Sequence, residues 1–260
     1  MLLTADVGNT NTVLGTFDDE GRALASLRIG TRRDATVGEI SLAVSHLCRR
    51  LPGGESGIRR TILCSVVPSL TGTFEAYVRE ELGHEPAVVT AELELGIEVA
   101  VDDPREVGAD RIVNAIAARE LVGHPAIVVD LGTATNFDCL DPRGRYVGGV
   151  IAPGVETASD DLFRRAARLS KVDLAFPERI IGSNTRDCLR SGILNGAVGM
   201  IDALVTAIRG EMGAEAPAIA TGGLAPLIGP RCSTVDRIEV GLTLQGLLAV
   251  DRHLRAASGT

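Results

Sequence analysis

Residues 6–22 read DVGNTNTVLGTFDDEGR and residues 130–145 read DLGTATNFDCLDPRGR, and the likeness of the two stretches decides the fold. Each opens with Asp-x-Gly and then Asn or Thr, straight after a short apolar run: LLTA before Asp6, AIVV before Asp130. Each passes through hydroxyl and amide residues into a second strand-like piece. Each closes on a polar turn with glycine, DDEG at 18–21 and DPRG at 141–144, before another apolar segment. The pattern predicts strand, tight turn, strand, hairpin and strand, written twice, with the second copy one residue shorter. Self-similarity of this kind predicts two similar domains, residues 1–120 and 121–260, their turns facing each other.

The segments between the copies predict helices at 37–51, 70–82 and 108–122, and a buried strand at 60–67 stopped by Pro68. The helix at 108–122 carries an apolar stripe at Ile112, Ala115, Ile116 and Val122. The second half predicts helices at 155–169 and 186–210 and a strand at 217–223 running into glycines. A closing helix at 240–257 is free to pack back on the first domain. Strands alternating with helices after a hairpin start give an α/β class with a mixed sheet in each domain.

Bulk composition narrows the function. The chain of 260 residues has a net charge of -8 and a single lysine, Lys171, which argues against nucleic acid as the main partner. Aromatic residues make up only 3%, so the cores are built from Val, Leu, Ile and Ala. The N-terminus lacks a basic n-region, and no stretch reads as a run of 18 or more apolar residues, so neither a signal peptide nor a membrane span is expected. The cysteines (48, 64, 139, 188 and 232) are odd in number with no CxxC pair, which fits reduced thiols in the cytoplasm. The common catalytic signatures are missing. A GxxxxGK(S/T) loop would need a lysine that only LSKVD supplies, and GxGxxG, HExxH and GxSxG do not occur.

The Asp6-Val7-Gly8-Asn9-Thr10 turn has a phosphate logic. Gly8 permits a sharp turn with amides close to an anion, and Asn9, Thr10, Asn11 and Thr12 offer neutral donors. Asp6 would repel phosphate, so its use is to hold a bridging cation. One such turn alone also reads as a polar hairpin. The second, Asp130-Leu131-Gly132-Thr133, favours two turns gripping the ends of a triphosphate. At 101–115, VDDPREVGADRIVNA, Gly108 precedes a helix whose first turn holds Asp110 and Arg111. Asp110 can accept a hydroxyl proton there and Arg111 can pair with a substrate carboxylate, or the pair is an N-cap with a solvated arginine. TGGL at 221–224 fits a purine approach or a plain turn. Asn184-Thr185 reads as a cap, and the charged run Asp160–Arg168 as a solvated helix face.

With DVGNT, VGADR, DLGT, GGVIAPG, GSNT and TGG in this order, the chain resembles the type III pantothenate kinases nearly end to end. The resemblance implies two actin-like (ribonuclease H-like) domains and transfer of the ATP γ-phosphate to pantothenate, the first step of coenzyme A synthesis. It also implies Mg²⁺, a monovalent cation (K⁺ or NH₄⁺) and a homodimer. By motif, Asp6, Val7, Gly8, Asn9, Thr10, Asn11, Thr12 and Val13 would contact ATP, Asp6 lying near Mg²⁺, and Thr133 would contact phosphate. Gly108, Ala109, Asp110 and Arg111 would bind pantothenate, with Asp110 as proton acceptor. Thr185 would reach the substrate, in the other subunit, and Asp130 would hold the monovalent cation. Three positions depart from the family's usual residues: Val101 for Tyr, Asn136 for Thr, and Gly38-Glu39 for Asp-Glu. The competing expectations are a kinase of the same superfamily acting on a sugar or another hydroxy acid, and a non-catalytic relative acting as a regulatory or transcription accessory factor.

Overall fold

A computed structural model describes residues 1–90, 93–166 and 169–258. Its β1 strand (Leu2–Val7) is apolar almost throughout because it is central and covered on both faces. It pairs antiparallel with β2 (Asn11–Phe17) and parallel with β4 (Arg60–Ser65). With β3 (Ala23–Gly30) and the two-residue β5 (Ala87–Val88) these form one sheet in the order β3-β2-β1-β4-β5. The two-residue period of β1 then sorts its side chains. Leu3, Ala5 and Val7 meet Val44 and Leu47 of α1 (Val37–Cys48) and Phe74 and Tyr77 of α2 (Pro68–Tyr77). Leu2 goes to the other face, joining Ile62 and Cys64 beneath α3 (Ala109–Val122) and α7 (Leu242–Ser258). Asp6, at an even position, belongs to that second face.

The same plan is repeated with new residues. Strands β6 (Ala126–Leu131), β7 (Ala134–Leu140) and β8 (Tyr146–Pro153) form the hairpin series, and β9 (Ala218–Thr221) and β10 (Arg237–Ile238) extend it in parallel. The order is β10-β9-β6-β7-β8. Strands β1 and β6 share one burial pattern and β2 and β7 share another, residue for residue. The one-residue difference lies in the turn: Gly8–Thr10 in the first copy, Gly132 and Thr133 in the second. Ile127, Val129 and Leu131 pack against Leu194, Ala197, Ile201 and Val205 of α5 (Thr185–Met212). The chain divides into two compact units, Met1–Ala117 completed by α7, and Ala118–Gly241.

Several boundaries moved for physical reasons. Helix α2 begins at Pro68, whose missing N–H costs nothing at a first helical position, and its continuation Val78–Leu82 widens into a π-turn closed by Gly83. Helix α1 is set by a capping box in which Thr36 and Glu39 exchange hydrogen bonds. Helix α4 (Val155–Arg165) ends before the predicted 169, and residues 167 and 168 of the charged run lie outside the described residues. Helix α5 has 28 residues and a mean hydropathy of 1.5 over its most apolar 18, enough by length and composition to cross a membrane, although Asn195, Asp202 and several glycines break its apolar run. Leu194, Ala197, Ile201 and Val205 of that helix are core residues of the second unit.

Gly246 of α7 has no room for a side chain: a Cβ would run into the Val113 carbonyl and come within 2.6 Å of Val113 Cγ1. Gly246→Ala is expected to lose about 1–3 kcal/mol by overpacking. Gly72→Ala, in α2 with open space around it, is expected to gain about 0.5–1 kcal/mol from helix propensity. Urea denaturation of both variants measures the opposite signs.

Candidate active site

In the first unit the turn is held shut from below. Gly8 N donates to Asn11 O at 3.1 Å, and a Cβ on Gly8 would lie 2.9 Å from that same oxygen. Thr31, just past β3, braces the outside. Its amide donates to Thr10 O at 2.9 Å and its hydroxyl to Gly8 O at 2.7 Å. With that proton committed, Thr12 Oγ1 is the donor in its 2.9 Å bond to Thr31 Oγ1. Arg33 donates to Asn9 Oδ1 at 3.3 Å. The rim residues Asn9 and Thr10 are exposed, whereas Thr12 is buried. Thr31 and Arg33 were not among the expected residues. Their signal is a polar TRR run directly after an apolar strand, which marks a turn without saying what it touches.

Asp6 follows Ala5 at the end of β1, opposite Cys64 in the parallel register with β4. The Cys64 Sγ lies 3.6 Å from Asp6 Oδ1. Burial pushes the Cys64 thiol well up, and the negative charges of Asp6 and Asp110 push it further. Helix α3 packs on this same face, Ala109, Ile112 and Val113 joining Leu2, Ile62 and Cys64, so its first turn with Asp110 belongs to the side of the sheet that bears Asp6.

Asp110 stands in the first turn of α3, whose opening amides, Arg111 N and Ile112 N, donate to Gly108 O at 3.0 and 3.3 Å. Asp110 Oδ1 accepts from Arg111 N at 2.9 Å. The carboxylate folds back over Gly108, where a Cβ would come within 2.5 Å of Oδ1. Desolvation raises the Asp110 carboxyl above the ordinary aspartate value, and the Arg111 amide and guanidinium only partly oppose it. A carboxyl of this kind, at a helix N-terminus beside an arginine, suits proton acceptance next to a bound anion.

The second unit brings together three of the quoted motifs. Gly132 N donates to Ala134 O at 3.0 Å, closing the shorter turn. Thr157 of α4 donates to Thr133 O at 2.8 Å, and a Cβ on Gly154 would collide with that carbonyl and stand 2.7 Å from Gly132 O. Gly222 has φ +89 and a Cβ there would lie 2.5 Å from Asp130 Oδ1 and 2.6 Å from Leu131 O. DLGT, GGVIAPG and TGG are therefore one packed feature, and the glycines of the last two are where Thr133 and Asp130 sit. Asn136 is the cross-strand partner of Asp130, so that departure touches the carboxylate's own neighbour. Thr185 stands exposed at the first position of α5, capped by Asn184, whose side chain accepts from Asp187 N at 3.0 Å. Glu39, beside the departing Gly38, is spent on the capping box and on Arg32, at 2.6 Å.

Among the described residues no three His, Cys, Asp or Glu side chains group into a metal cage. Asp6, a single hard-oxygen ligand beside a phosphate-type turn, fits a Mg²⁺ ion that takes its other ligands from phosphate and water.

Two like sheets, each with an acidic strand end and a glycine turn, define an actin-like phosphotransferase fold. Solved structures agree: component A of the (R)-2-hydroxyglutaryl-CoA dehydratase of Acidaminococcus fermentans superposes with a TM-score of 0.59 at 14% identity, over 100% of this chain and 99% of that one. The ROK hexokinase of Thermus thermophilus gives 0.52 at 11%, over 98% and 99%. The family model for type III pantothenate kinases matches residues 2–207, and the type III pantothenate kinase of Moorella thermoacetica is 45% identical over 251 residues, 96% of this chain and 98% of the relative. The chain belongs to the type III pantothenate kinase family.

The left-handed backbone at Gly222 and its two close oxygens make it intolerant of a methyl group. Gly222→Ala is expected to cost about 1–3 kcal/mol in stability and to weaken nucleotide binding by displacing Asp130. Thermal denaturation with and without ATP measures both.

Proposed function

We propose that this protein transfers the γ-phosphoryl group of ATP to the terminal hydroxyl of pantothenate, the first step of coenzyme A synthesis. The observation that carries the reading is Asp110 in the first turn of α3, on the face of the sheet that also bears Asp6, half-buried and with Arg111 next to it. In the first unit the Asp6–Val13 turn contacts ATP, and in the second Thr133 contacts phosphate. Asp6 would hold, directly or through water, the Mg²⁺ that enters with ATP, and that ion would supply charge neutralisation at the phosphates. Gly108 and Ala109 let the substrate approach the helix start, and Arg111 pairs with its carboxylate. That pairing favours a hydroxy acid over a neutral sugar. Asp110, oriented by the Arg111 amide, takes the hydroxyl proton as the oxygen bonds to the γ-phosphorus and ADP departs. Phosphoryl transfer asks mainly for positioning and charge stabilisation, which these groups supply.

The finer parts of the reading concern the cation, the second subunit and the setting. Asp130, wedged against Gly222, holds K⁺ or NH₄⁺. The protein works as a cytoplasmic homodimer on small molecules, without nucleic acid or membrane. Ile180 and Ile181 support the dimer: they are 69% and 82% exposed and shortly precede Thr185, which would reach the partner's substrate. Ile181→Asp is expected to halve the mass measured by light scattering.

The central test is a coupled ADP-release assay with pantothenate, ATP, Mg²⁺ and either K⁺ or Na⁺. Asp110→Asn is expected to lower kcat by about 10²–10⁴ while leaving ATP affinity unchanged. Burial raises the Asp110 pKa and the base must be ionised to work, so rate falls as pH drops through that raised value. The acid limb of kcat/KM is therefore expected at higher pH than an ordinary aspartate would give. No turnover in folded protein that still binds ATP would point instead to a regulatory relative.

A further inference from the structure

Cys64 is fully buried, yet it lies at the one place in its strand where a carboxylate of the site is within reach. Its register partner on β1 is Asp6, and its Sγ lies 3.6 Å from Asp6 Oδ1. The direction of that contact is settled by chemistry. An ionised carboxylate only accepts, so the thiol proton must be the one shared.

We propose that Cys64 is a positioning residue whose S–H donates to Oδ1 of Asp6 and holds that carboxylate in the orientation that receives the cation bound with ATP. The inference rests on the assignment of Asp6 given above. It has a counterpart in the repeat: the register partner of Asp130 on β9 is Thr221, also buried and also carrying one short side-chain proton. In both sheets the strand-end aspartate is thus set beside a small single-proton group on the parallel neighbour. A side chain that merely filled space there, among Leu2, Ile62 and Ile112, would be as well served by valine.

The experiment compares full-length wild-type protein with Cys64→Ser, Cys64→Val and Asp6→Asn. Calorimetry measures the affinity for a non-hydrolysable ATP analogue with and without Mg²⁺, and a melting curve confirms that each variant is folded. Serine keeps a donor and valine keeps the bulk. Cys64→Ser is expected to bind the Mg²⁺-loaded analogue within about twofold of wild type, and Cys64→Val about tenfold more weakly, with little change when Mg²⁺ is withheld. The Mg²⁺ concentration giving half-maximal turnover is expected to rise in the valine variant alone. Wild-type binding by Cys64→Val, or equal losses in both cysteine variants, would overturn the positioning role. Wild-type Mg²⁺ dependence in Asp6→Asn would overturn the assignment of Asp6 instead, and the inference with it.

Discussion

Each sheet of this protein depends on a central strand sealed on both faces until its last turn of residues. Between Leu2 and Ala5, and again between Ala126 and Val129, no charge is tolerated, because water is excluded from above and below. Asp6 and Asp130 are the first positions where a carboxylate can survive. The chemistry is gathered at the carboxyl ends of the strands, where open α/β sheets generally bind their ligands. Alternation adds the second coordinate. It turns Leu3, Ala5 and Val7 toward α1 and α2, and so turns Asp6 toward the face roofed by α3, where Asp110 waits.

The duplication shows which parts of this plan are structural and which are tuned. The first two strands keep their lengths and burial patterns between the copies, whereas the turns differ by a residue and are braced differently. The first is tied by side chains, Thr31 and Arg33. The second is tied by one hydroxyl, that of Thr157, and by close packing at Gly154 and Gly222. A hydrogen-bonded rim tolerates more local movement than a glycine-packed one, since side chains can exchange partners while a carbonyl wedged against a backbone cannot.

Most of the fold was readable because its signals are periodic or punctuating. The repeated Asp-x-Gly turns gave away the hairpins, Pro68 marked the stop of the strand before it, and Gly108 marked the approach to a helix. The two-residue strands β5 and β10 escaped notice, since a pairing of that length has no pattern of its own. Within the site, Asp6, Asp110, Asp130 and the glycines could be picked out by residue type and order. Thr31, Cys64 and Thr157 could not. Their importance comes from register and from contacts between elements distant in sequence, and an unremarkable Thr or Cys announces neither. Glu39 shows the reverse case. Thr36-Val37-Gly38-Glu39 looked like a departure from the family's usual residues, and the local rule it obeys is that of a helix cap.

The closing helix α7 has a consequence for how the molecule is made. It completes the core of the first unit, contributing Leu244, Leu247, Leu248 and Val250 opposite Leu2 and Ile62, yet it is made only after the whole of the second unit. The second unit, by contrast, is continuous in sequence. During synthesis the later-coded unit can therefore close first, while the earlier one keeps an uncovered apolar sheet face until α7 has been made. The chain's first-made half is its last to finish, and premature termination anywhere before α7 leaves a surface that invites aggregation rather than a smaller working domain.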